Sequence, residues 1–197
     1  MFKKFLLLLS ILFCFSEITA FAAGSDVTYV VEEDGNVANT YLTQTELNYC
    51  KIPENVRTKY QSEGGRIIVS DKNLGNHFGY GFSIKGIWIC DFYDDGSKKH
   101  TIWIEDRQNA MDTVIHEMGH YVDFESGLVS NSEEFIVIHN DEVNLFSKTF
   151  NTHKNNYSTS EEYFAESFQN CYLYPTRMKE TCPKTYEYII NLVENFK

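Results

Sequence analysis

Basic residues are scarce in this 197-residue chain: 17 Lys and Arg stand against 28 Asp and Glu, a formal charge of -11. Nucleic-acid phosphates are gripped by clustered cations that displace counterions, so the deficit argues against a nucleic-acid partner. Proline is scarcer still, at 3 residues, and with 15% aromatics the composition excludes a disordered or linker-rich chain. Beyond the N-terminus no apolar run is long enough to span a bilayer. Internal repeats and low-complexity stretches are missing. So is any C-x-x-C pair, which removes a thiolate zinc cluster or a redox dithiol from consideration.

The N-terminus has the form of a secretory signal peptide over residues 1–22. Lys3 and Lys4 precede an apolar run over 5–15, and Ala20 and Ala22 occupy the -3 and -1 positions of a cleavage site. The mature protein is therefore expected to be secreted and extracellular, with no membrane attachment. Cys14 lies inside the signal without a lipobox-like context, so no lipid anchor is expected. Cleavage leaves Cys50, Cys90, Cys171 and Cys182, an even number that permits two disulfides in any of three connectivities.

Residues 23–64 read as a polar leader, loosely attached, followed by a helical segment over 45–63 with a break at Pro53. From residue 65 the pattern is that of one compact domain. A short apolar strand over 66–70 precedes a glycine-rich stretch. Two β-rich runs, 87–92 and 101–105, then flank an Asp-Gly turn and predict a hairpin. After Asp106 the apolar period lengthens to about 3.6. The first helix is expected over 107–126, ending at Gly127. A second opens at the capping box of Asn131, Ser132, Glu133 and Glu134, a third at 158–160, and a last one after Pro183. Strands first and helices afterwards make an α+β fold.

The chemistry concentrates in His116-Glu117-Met118-Gly119-His120. On a helix, positions i and i+4 share a face, so both imidazoles can meet one metal ion, and Glu117 beside them can polarise a water. Two ordinary histidines on a solvated helix would look the same in isolation. The apolar residues Val114, Ile115, Met118 and Val122 supply the core-facing stripe that a buried active-site helix needs.

A catalytic zinc requires a third protein ligand. The metzincin pattern asks for glycine and histidine three and six residues past His120, where this chain has Asp123 and Ser126. His139 and His153 are possible donors, more in keeping with a surface or loop. Glu162 and Glu166, four apart on a later helix, form the better pair: one carboxylate for the metal, the other holding a ligand imidazole by a hydrogen bond. Thr159 with Glu162 also matches a capping box, but Ser158 with Glu161 forms the same box one residue earlier and frees Glu162. Asp123 is read as a supporting hydrogen-bond acceptor beside the site, and as the next candidate ligand after Glu162.

These motifs, HEMGHYVD (116–123), NSEEF (131–135), EEYFAESF (161–168) and CPKTYEYI (182–189), resemble in order and spacing the catalytic domain of the anthrax lethal factor-like and Pro-Pro endopeptidase family of secreted zinc metallopeptidases. The likeness covers roughly residues 65–197. It implies a zincin-like α+β domain, with a small mixed sheet, an active-site helix and a helical C-terminal part. It implies one zinc per chain held by His116, His120 and Glu162, with Glu117 as general base and then acid, and Glu166 supporting a ligand. The family uses a tyrosine seven residues before the third ligand on the oxyanion. That position here is Asn155, and the nearest tyrosine, Tyr157, takes the role only if the loop is shortened by two residues.

The expected function is a secreted zinc endopeptidase acting on proteins or peptides, with proline near the scissile bond as a preference implied by the resemblance, and a monomer. An extended substrate is expected to pair with an edge strand at 101–105. The competing classes are a metal-stabilised binding module without catalysis, a disulfide-held surface protein and a toxin-like effector protease. The intact Glu117 argues against the binding module, and a single domain after a signal peptide argues against a delivered effector.

Overall fold

The computed structural model describes residues 31–108, 110–150 and 159–197. A four-stranded sheet, ordered β1-β2-β4-β3, packs on one side of a helical body. Its strands are β1 (Val31–Asp34), β2 (Arg66–Ser70), β3 (Gly86–Phe92) and β4 (Lys98–Glu105). The helices are α1 (Asn39–Tyr49), α2 (Glu54–Ser62), the single turn α3 (Leu74–His77), α4 (Thr113–Glu125), α5 (Glu133–Thr149), α6 (Ser160–Leu173), α7 (Pro175–Thr181) and α8 (Pro183–Glu194). The fold is α+β, with strands concentrated early and helices late.

The hairpin forms where expected: β3 and β4 are antiparallel, with Trp88 opposite Ile102 and Cys90 opposite His100. β2 pairs with β4 in parallel, and so does β1 with β2. Residues 31–34 are therefore a strand of this sheet rather than loose leader. The sequence VEED has no apolar alternation to announce it. It is held by pairing and by charge, with Arg66 on Glu32, Lys72 Nζ 2.9 Å from Asp34, and the Ser70 hydroxyl donating to Asp34 at 2.8 Å. The topology also corrects the expected substrate edge at 101–105. β4 has a neighbour on both sides, because β2 fills the side that a simple hairpin would leave open, and β3 is an edge strand.

The helix expected over 107–126 begins only at Thr113. Ala110 N–H to Arg107 C=O and Thr113 N–H to Ala110 C=O close four-residue turns instead. Its end is as expected. Gly127, at φ 86°, follows the cap, and the Gly127 and Leu128 N–H groups donate to the carbonyls of Phe124 and Asp123, a Schellman closure. Ser132 caps α5 by accepting from Phe135 N–H at 3.1 Å. α7 runs into α8 through Pro183, where the orphan N–H groups of Lys184 and Thr185 are taken by the buried carboxylate of Glu142 at 3.1 and 2.9 Å. Among the described residues all four cysteines are free thiols, Cys171 and Cys182 in the core. No described helix is long and apolar enough to cross a membrane.

The core lies between sheet and helices. Ile67, Val69, Ile102 and Ile104 face Val114, Ile115, Met118 and Val122 of α4, and beyond them Phe164 and Phe168 of α6 and Phe135 and Phe146 of α5. The tightest seam is between α4 and α6. A Cβ on Gly119 would stand 2.8 Å from Ala165 Cα and 3.1 Å from both Ala165 O and Phe168 Cβ. Two effects oppose each other in Gly119→Ala. Helix propensity favours alanine by about 1 kcal/mol, whereas overpacking against backbone costs about 1–3 kcal/mol. Backbone cannot rotate aside, so the variant is expected to lose stability, seen as a lower urea midpoint at unchanged m; a raised midpoint would show that the seam is looser than described.

Candidate active site

The first two turns of α4 carry His116, Glu117 and His120, and the first turn of α6 carries Glu162. The α4–α6 seam brings them face to face. One donor atom from each of His116, His120 and Glu162 lies within 4.8 Å of the others. His116 Nε2 is 3.4 Å from Glu162 Oε2, and His120 Nε2 is 3.6 Å from Glu162 Oε1. The two imidazoles are nearly perpendicular, with centroids 4.9 Å apart. Bonds of 2.0–2.2 Å in a tetrahedron imply ligand atoms about 3.4 Å apart, so the two separations from Glu162 to the imidazoles already suit a zinc ion.

Glu166, one turn on from Glu162, puts Oε2 3.3 Å from His116 Nδ1. A carboxylate there holds the proton on Nδ1 and turns the Nε2 lone pair towards His120 and Glu162. The capping question resolves through separate atoms. Thr159 is the N-cap and accepts from the Glu162 backbone N–H at 3.3 Å, while the Glu162 side chain faces the histidines. A cap therefore does not compete with the carboxylate for the site.

Asp123 points elsewhere: its two oxygens accept from Ser130 N–H at 2.7 Å and Ser130 Oγ at 2.6 Å, tying the end of α4 to the turn before α5. His139 lies against the ring of Tyr163, centroids 4.8 Å apart. Tyr157, with Asn155 and His153, falls outside the described residues.

Glu117 is buried against the sheet. Two features of β3 hold it, and only one of them leaves a trace in the sequence. The Trp88 backbone lies near enough to favour its charged form. Gly86 leaves room for it, since a Cβ there would lie 3.1 Å from Glu117 Oε1 and 2.6 Å from Thr113 Cγ2. A glycine opening a strand beside an active-site helix is the only sequence signal of that close approach.

Residues 96–192 match the family model described as "Anthrax toxin lethal factor, N- and C-terminal domain". This segment is similar to a lethal factor domain. It starts at the β3–β4 turn and runs through the HEMGH helix and α6 to α8. Among solved structures the chain is similar to the Pro-Pro endopeptidase PPEP-2 from Paenibacillus alvei, at 20% identity and a TM-score of 0.63, over 83% of this chain and 97% of that one. No curated protein matches the chain. The likeness to PPEP-2 extends the fold agreement into the part of the sheet that precedes the lethal factor-like domain.

The electrostatics of the metal-free site are those of a proton held where a cation fits. Burial disfavours a charged His116, but the carboxylates of Glu162 and Glu166, with the charge of Glu117, outweigh it and raise its pKa to about 10. His120 is shifted down by burial and by the charge on His116. Glu162 is lowered, chiefly by its hydrogen bond to His116. Burial raises Glu117 to about 7, against the pull of His116.

Zinc must therefore displace one proton, from His116, at any pH below about 10, while His120 is already neutral above its lowered pKa. Apparent zinc affinity is expected to rise about tenfold per pH unit between pH 6 and 8, with one proton released per ion. Titration calorimetry in buffers of different ionisation enthalpy measures that number; release of two protons would mean that a second group, Glu117 first among them, gives up its proton as well.

Proposed function

We propose that the protein is a secreted zinc-dependent endopeptidase that hydrolyses peptide bonds of extracellular proteins. The observation that carries the proposal is the His116, His120 and Glu162 donor set, open to solvent on one side, with the buried Glu117 carboxylate on the adjoining turn. A closed structural site would have no use for a base so placed. The lethal factor-like domain and the similarity to a Pro-Pro endopeptidase support the same reaction class.

A zinc ion held by these three residues would supply Lewis acidity towards water and the scissile carbonyl. The protein's own groups do the rest. Glu117, with a pKa near neutrality, accepts a proton from the attacking water and returns it to the leaving amine. The Trp88 backbone and the close-packed Gly86 keep its carboxylate from turning away. Glu166 orients His116. The substrate lies along the free edge of β3, whose first residue already abuts Glu117, and pairs with it as an added antiparallel strand. Proline near the scissile bond is the preference this reading carries, since the fold neighbour is named for it.

Purified wild type is expected to cleave members of a proline-containing peptide library. Glu117→Ala should lower kcat about 10²–10⁴-fold while binding the same one equivalent of zinc at this site. Equal cleavage by the two forms would sink the base assignment. Zinc binding without any cleavage by wild type would identify a metal-stabilised binding module instead.

A further inference from the structure

At the far end of α4, beyond the HEMGH turns, a second set of donors converges. Glu63, at the C-cap of α2, Glu125, the last residue of α4, and His100 of β4 each offer one ligand atom within 4.8 Å of the others. His100 is fully buried, and neither of its ring nitrogens makes a hydrogen bond. Buried polar atoms are nearly always satisfied, so an orphaned imidazole between two carboxylates calls for a partner. The ring is fixed in place, stacked on Trp88 at 5.8 Å and met edge-on by Tyr121 at 4.9 Å. Its Nε2 faces the acids, 3.3 Å from Glu125 Oε1 and 3.9 Å from Glu63 Oε2.

Those separations resemble the 3.4 and 3.6 Å found between donors at the HEMGH site, and lie around the ligand–ligand edge of about 3.4 Å in four-coordinate zinc. The location favours a cation further, because the C-terminal ends of α2 and α4 both direct carbonyl dipoles there. Tyr121 donates to Glu63 Oε2 at 2.6 Å and so orders one ligand carboxylate.

Two ammonium groups occupy the acids meanwhile. Lys59 Nζ is 2.7 Å from Glu63 Oε1, and Lys98 pairs with Glu125. Both side chains are partly exposed, at 22% and 33%, and can swing into water.

We propose that Glu63, His100 and Glu125 form a second divalent-cation site that clamps the ends of α2 and α4 to β4. One imidazole with two carboxylates suits a zinc-class ion better than calcium or magnesium, which take oxygen ligands alone. The entering ion displaces Lys59 and Lys98 and takes the Nε2 lone pair of a neutral His100.

Stripped protein titrated with zinc alone, with bound metal counted by emission spectroscopy, tests this independently of peptidase activity. Two equivalents are expected for wild type, one for His100→Ala, and one for the double variant His116→Ala/His120→Ala, in which the remaining ion should still raise Tm. A double variant that binds no zinc overturns the proposal, as does a His100→Ala protein with an unchanged count. Because removing a buried ring can unfold the region, Lys98→Gln serves as a second variant. Loss of the competing charge should tighten the second equivalent about tenfold, and equal or weaker binding overturns the site.

Discussion

Everything at the candidate active site depends on how closely α4 approaches α6. The histidines sit on one helix and Glu162 and Glu166 on another, so their convergence is a matter of interhelical distance. That distance is set where Gly119 meets the backbone of Ala165. A side chain at Gly119 would hold the helices apart just one residue before His120, and donor atoms 3.4–3.6 Å apart have no slack to absorb it. The residue between Met118 and His120 is therefore as much a part of the donor geometry as His116, His120 and Glu162, although it offers no donor.

The same seam explains how acidic side chains serve two structures at once. α6 begins at a Thr159 cap, and its first turn must both satisfy orphan N–H groups and present a carboxylate to α4. The backbone of Glu162 does the first and its side chain the second. One turn later Glu166 reaches His116 Nδ1. Each acid is placed by helix periodicity, so fixing the start of α6 fixes both contacts.

What was legible in the sequence follows from the range of the interaction that decides each feature. The β3–β4 hairpin, the Gly127 stop and the Ser132 cap are local, and their residues announce them. The pairing of EEYFAESF with HEMGH was legible because i, i+4 spacing leaves each helix only one face on which both of its groups fit. The early start assigned to α4 failed because apolar periodicity ran on through residues whose backbone closes four-residue turns. β1 was invisible because VEED is stabilised by partners at Ile67, Arg66 and Lys72, none of them local. The edge strand was misassigned to β4 because strand order depends on β2, which lies before the hairpin in sequence and beside it in space. The hold on Glu117 by Gly86 and Trp88 is equally tertiary.

The excess of acid over base, which sequence composition offered mainly as a means of solubility, has a more specific basis in the structure. Glu117, Asp123 and Glu142 are buried; Asp123 accepts from the Ser130 backbone N–H, and Glu142 from those of Lys184 and Thr185. A carboxylate accepts several such bonds at once and donates none, so it can close a helix end or fix a strand where an amide would present a surplus donor. Other acids face imidazoles, Glu162 and Glu166 at one part of α4 and Glu125 at its end. Lysines are stationed only at the second of these groups, which leaves the HEMGH face with carboxylates and imidazoles and no resident ammonium among the described residues. A divalent cation entering there would compete with a proton alone, whereas at the end of α4 it would also have to displace Lys59 and Lys98. The first face is thus the one where a cation would meet less competition, and it is the one that adjoins the buried Glu117 carboxylate.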